Sequence, residues 1–173
     1  MLGIFKSARV TATEAGIASI RPIVATIQHT HGLPSRFWMD PYVLGFFSFM
    51  IGHYAKLATK GSIKAEALGQ VLCDVLNSVS NLNGIALSRR TTQLALEEDP
   101  PFNRGADDAA TICFYSMRSL KNESENSLVR AASEIAMQSN EAGNSESERR
   151  AYIGSLMLML TLMKEVEGRL AVD

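Results

Sequence analysis

Side chains able to do chemistry are few in this chain, and their spacing restricts what they could do. Cys73 and Cys113 are its two thiols. Either becomes a nucleophile only beside a basic group that lowers its pKa, and both fall at helical positions that read as packed, so inert core thiols are expected. His53 shares a helical face with Phe46, Phe49, Met50 and Leu57. A neutral imidazole in that apolar surround needs a hydrogen-bond partner, which suits a satisfied core histidine or the single orienting polar group of a ligand pocket lined by those five residues. His29 and His31 stand two apart, so one helical face cannot present both to a metal, whereas an imidazolium at a helix end complements the dipole there.

The carboxylates are no better arranged for catalysis. Glu97, Glu98 and Asp99 form a charged run against Pro100, expected as a solvated corner, and Asp107 and Asp108 read as first-turn acids favoured by a helix dipole. No Glu-x-x-His occurs, which removes the di-metal bundle signature, and there is no nucleophile elbow, phosphate loop or dinucleotide fingerprint. No catalytic residue, cofactor or metal ligand is therefore assigned, and the reading leans away from an enzyme.

A nucleic-acid alternative rests on Ser88, Arg89, Arg90, Thr92 and Gln93, which would open the second helix of a helix-turn-helix-like element near residues 70–97. Against it, the same helix ends in Glu97, Glu98 and Asp99, and 17 Lys plus Arg against 18 Asp plus Glu leave a formal net charge of −1, so no global positive field attracts phosphate.

Positioning these groups falls to helices. Spacings of three and four recur along the chain while alternating β-branched runs are missing, which predicts an all-α fold, a compact bundle or irregular α-orthogonal domain of about six to seven helices. The first is expected from Thr13 with Ile17, Ile20, Val24 and Ile27 inward and Pro22 as a kink or restart. The second starts at Asp40-Pro41, an N-cap followed by proline at the first helical position, and ends near Thr59. Ser62 is expected to cap the third, whose stripe of Leu68, Val71, Leu72, Val75, Leu76, Val79 and Leu82 closes at Asn83-Gly84. Later helices are expected over Leu87–Glu98, with Pro100-Pro101 as its stop, and over Arg104–Lys121, with Ala106, Ala110, Cys113, Met117 and Leu120 aligned. Another comes after Asn122 with Leu128, Ala132, Ile135 and Ala136 inward. The last runs from a Ser145/Glu148 capping box to about Arg169.

The chain reads as one domain, 1–173, with 1–12 allowed to be flexible and 139–147 a polar linker. Two cysteines without a CxxC pair or regular framework suit a reducing compartment, hence a cytoplasmic protein. The run from Tyr42 to Ala58 is at the short limit of a bilayer span and carries Ser48, His53 and Lys56, so a core helix is preferred. That helix has a second face of small residues, Gly45, Ser48, Gly52 and Ala55, which lets another backbone approach, within the domain or across a two-fold axis. The leading expectation is a non-enzymatic, homo-oligomeric interaction protein burying an apolar helix face against a second copy or another protein. A small apolar ligand at the Phe/Met/His wall is the alternative. Nucleic acid and membrane are not favoured as partners.

Overall fold

Helices make up the regular structure of the residues described, 7–30, 32–139 and 145–170, in a computed structural model that shows no strand among them. Seven α-helices succeed one another among the described residues, as expected for the all-α class. They are α1 (Ala8–Thr30), α2 (Pro41–Ala58), α3 (Ala65–Ser80), α4 (Gly84–Leu96), α5 (Pro100–Ser116), α6 (Ser127–Gln138) and α7 (Glu146–Leu158). No described helix is long and apolar enough to cross a membrane. They fall into two compact units, 1–107 and 108–173, so the division lies inside α5 and not at the 139–147 linker. Residues 140–144 of that linker, and 1–6 of the N-terminal segment, lie outside the described residues.

In the first unit α2 is the core helix. Its start is set locally: the Asp40 side chain accepts from the Val43 amide at 3.1 Å, and Pro41 occupies a position where no amide proton is needed. Tyr42, Val43, Leu44, Phe46, Phe47 and Ile51 are all fully buried. A short 3₁₀ turn, Phe37–Met39, lays Phe37 and Trp38 onto Phe47, with ring centroids 6.1 and 5.3 Å away. Around this core, α1 packs on α2 and α3, and α3 packs on α4.

Several boundaries differ from expectation, each for a local reason. Helix α1 begins at Ala8 and runs through Pro22 without a restart. Pro22 and Ala18, whose carbonyl loses its usual amide partner, both lie on the exposed side, where water replaces the missing bond. The Ser62 hydroxyl donates to the Thr59 carbonyl at 2.7 Å instead of capping α3, which starts after Lys64. Asn81, left-handed at φ 57°, ends α3, and Asn83 accepts from Ile85 and Ala86, so it opens α4 where the sequence suggested a stop. Leu82, assigned to the inner stripe of α3, is exposed.

The largest shift is in α5. Asp99 accepts from the Phe102 amide at 2.9 Å and caps a helix that starts at Pro100 itself. The proline pair thus begins a helix instead of stopping one, and Asp107 and Asp108 sit well past the first turn. Phe102, Ala109, Ile112, Cys113 and Tyr115 face inward, not the Ala106, Ala110, Met117 and Leu120 stripe.

In the second unit α6 packs on α7. Asn126 caps α6, whose buried residues are Val129, Ala132 and Ala136, while Ile135 points outward. Ser145 and Glu148 form the expected reciprocal capping box of α7. Beyond α7 the helix continues as two π turns, Met159–Met163 and Val166–Leu170. The first accommodates an extra residue, and Thr161, Leu162 and Met163 are buried in succession.

Candidate interaction surfaces

The two faces of α2 meet different surroundings. On the bulky face Phe46 and Met50 belong to the core, Phe49 and His53 are half-buried, and Leu57 is 43% exposed. The Phe49 and His53 rings lie nearly parallel with centroids 5.9 Å apart, and Tyr54 meets His53 edge-on. Burial first, and then the Lys56 ammonium, hold the His53 imidazole below its ordinary pKa, so the neutral ring is favoured. These five residues therefore grade from core to surface along one helix, with an aromatic stack around the histidine.

On the small-residue face, Gly45 is fully occupied within the unit. A Cβ built there would stand 2.0 Å from the Phe102 carbonyl oxygen, and one on Gly105 would stand 2.1 Å from the Tyr42 carbonyl oxygen. Paired glycines thus let α2 and residues 100–107 of α5 cross backbone to backbone, with the Arg104 guanidinium 5.1 Å over the Tyr42 ring. Ala55 is buried too. Ser48 and Gly52 are not covered in this way: with Ile51 they line a notch of about 230 Å³ whose other wall is Ala65, Leu68, Gly69 and Leu72 of α3. A Cβ on Gly52 or Gly69 would meet nothing within 4 Å.

Ser48, like Thr13 of α1, departs from most of the helical hydroxyls. Ser19, Thr59, Ser80, Thr91 and Thr161 each donate to the carbonyl four residues back, at 2.6 to 2.9 Å. The Ser48 hydroxyl oxygen is buried with no hydrogen-bond partner among the described residues.

The nucleic-acid candidates are dispersed along α4. Its first turn presents Gly84, Ile85 and Ala86, which offer no side-chain donors to a groove. Ser88 is buried, and the Thr92 hydroxyl donates to the Ser88 carbonyl. Arg90 donates to Gln93, which in turn donates to Glu97, while Arg89 is exposed. His29 is exposed at the end of α1, and His31 lies outside the described residues. Glu97 and Asp99 of the acidic corner serve as acceptors for Gln93 and for the α5 cap. Both cysteines have ordinary surroundings: Cys73 is half-buried, and burial pushes the Cys113 thiol up to about 12. No group of three or more His, Cys, Asp or Glu side chains converges among the described residues.

The sequence pattern marks no site in the second unit, yet a groove of about 550 Å³ lies there between α6 and α7. Its floor is Val129, Ala136 and Ile153, all buried, with Met137 82% exposed at its edge. One end is fixed by Arg150, whose side chain is only 11% exposed. Its Nε donates to the Tyr115 carbonyl at 2.6 Å, both terminal nitrogens donate to the Glu123 carboxylate, and the guanidinium sits 4.0 Å over the Tyr115 ring. The hydrogen bond to Glu123 raises the Arg150 pKa further, and burial raises that of the Tyr115 phenol. Along the sides run Arg130, Ser133 and Glu134 of α6 and Glu146 and Arg149 of α7. Adjacent arginines at 149 and 150, just inside a capping box, were the available sequence signal; the groove itself depends on how α6 meets α7. No protein-family model, no curated protein and no solved structure matches the chain.

Proposed function

We propose that the chain is a non-enzymatic interaction protein that works as a homo-oligomer, with the α6–α7 groove as its contact surface. The observation that carries this reading is the groove's build: a buried apolar floor and a nearly fully exposed methionine, framed by a charged rim of both signs and anchored at one end by Arg150. An apolar centre within a polar rim is the anatomy of protein contacts, and methionine adapts to a partner's shape. The small-residue face of α2, read as a contact either within the domain or across a two-fold axis, has Gly45 and Ala55 already buried within its own unit. Light scattering on the full chain across the micromolar range tests the reading: a concentration-dependent dimer is expected, and a monomer throughout would remove the homo-oligomeric form.

A second reading, binding of a small apolar ligand, is favoured at the α2–α3 notch by its apolar lining, Ile51, Ala65, Leu68 and Leu72 beside the two open glycines. Native mass spectrometry of the purified chain should then show a bound small molecule that is lost in Gly52→Leu, where the new side chain fills the notch. Retention of that ligand in the variant would exclude the notch as its site.

A further inference from the structure

We infer that the second copy docks on the α6–α7 groove about a two-fold axis that sets the two α6 helices antiparallel, Arg130 of each beside Glu134 of the other. This deepens the homo-oligomer reading above and rests on it. Arg130, Ser133, Glu134 and Met137 recur at three- and four-residue steps, so they share one face of α6, and all four line the groove. Neither the Arg130 nor the Glu134 side chain has a hydrogen-bond or ion-pair partner among the described residues, although both are exposed beside a surface built for contact.

Their order is what selects the occupant. A basic residue followed one turn later by an acidic one becomes self-complementary when the helix is reversed: the antiparallel copy offers Glu134 where the first has Arg130, and Arg130 where the first has Glu134. The parallel arrangement would place like charge against like. In the antiparallel one, Ser133 lies near the axis, where two hydroxyls can satisfy each other, and Met137 extends past the pair toward the partner's groove. The whole groove is balanced in the same sense, with Arg130, Arg149 and Arg150 matched by Glu123, Glu134 and Glu146, so two copies meet without net repulsion. A foreign partner with a single dominant charge gains no such match.

Charge exchange within the pair tests this directly by sedimentation velocity on the full chain. Arg130→Glu and Glu134→Arg each replace two attractions by two repulsions, because the axis doubles every contact, and should each weaken dimerisation about tenfold or more. The double variant Arg130→Glu with Glu134→Arg restores opposite charges across the axis and should return the dissociation constant to within about threefold of the wild type. Met137→Asp provides a second probe on the same face and should also favour the monomer. Circular dichroism should be unchanged throughout, as these side chains are exposed. A dimer indifferent to both single exchanges would overturn the inference while leaving the homo-oligomer reading intact. Failure of the double exchange to restore association would overturn the antiparallel pairing. A wild type that stays monomeric would overturn both.

Discussion

Gly45 and Gly52 lie on the same face of one helix, two turns apart, and their surroundings are opposite. At Gly45 the backbone of α5 approaches so closely that no side chain fits, whereas at Gly52 a side chain would meet nothing. Small residues at helical spacing thus record permission for a close approach, and whether anything makes use of it depends on a segment elsewhere in the chain. Here that segment is Phe102 to Gly105, which meets α2 at Tyr42, Gly45 and Phe46, while farther along the helix α3 leaves a notch.

The comparison is sharpest when the same substitution is made at both ends. Gly45→Ala drives a methyl group into the Phe102 carbonyl, so backbone must shift, and urea unfolding should show a loss of about 3 kcal/mol or more. Gly52→Ala enters open space and replaces glycine by a better helix former, so the same measurement should show a gain of about 0.5–1 kcal/mol. Equal effects at the two positions would break the distinction between a closed and an open half.

The smallest expected effect concerns the half-buried wall on the opposite face. The His53 pKa is lowered from 6.5 in the folded chain, so the unfolded chain binds this proton more readily. The associated stability is complete above 6.5 and is lost as the pH falls from there through the folded value. His53→Gln should flatten that part of the stability profile, read as the urea midpoint between about pH 7.5 and about pH 5. An unchanged profile would show that the ring titrates as it does in the unfolded chain.

What was legible in the sequence was the part decided within one turn of helix. Asp40-Pro41 and Ser145/Glu148 were readable because a cap is a contact between a side chain and amides two or three residues away. Asn83 and Pro100 were ambiguous because the same residue types serve opposite ends: asparagine can stop a helix in the left-handed region or cap the next, and proline can come after a helix or open one. Inner faces were legible where the stripe was strongly apolar, as with Ile20, Val24 and Ile27 of α1. They were misread in α5, where alanine dominated the stripe and a methyl group costs little on either side; in α6 Ala132 and Ala136 are buried as expected, and it is Ile135 that points outward. The candidate surfaces were the least legible. The α6–α7 groove joins Tyr115 and Glu123 to residues near 130 and 150, and no local pattern announces that meeting.

The π turn at Met159–Met163 bears on how freely the length of the C-terminal segment can drift. An extra residue housed in one wide turn is a stored insertion: deleting one residue there lets the turn close to ordinary α geometry, and the residues beyond it keep their facing. The same deletion inside α2 would swing each later side chain of that helix by about 100° and turn its aromatic core outward. The helix that carries this turn is thus tolerant of a one-residue deletion that α2 cannot absorb.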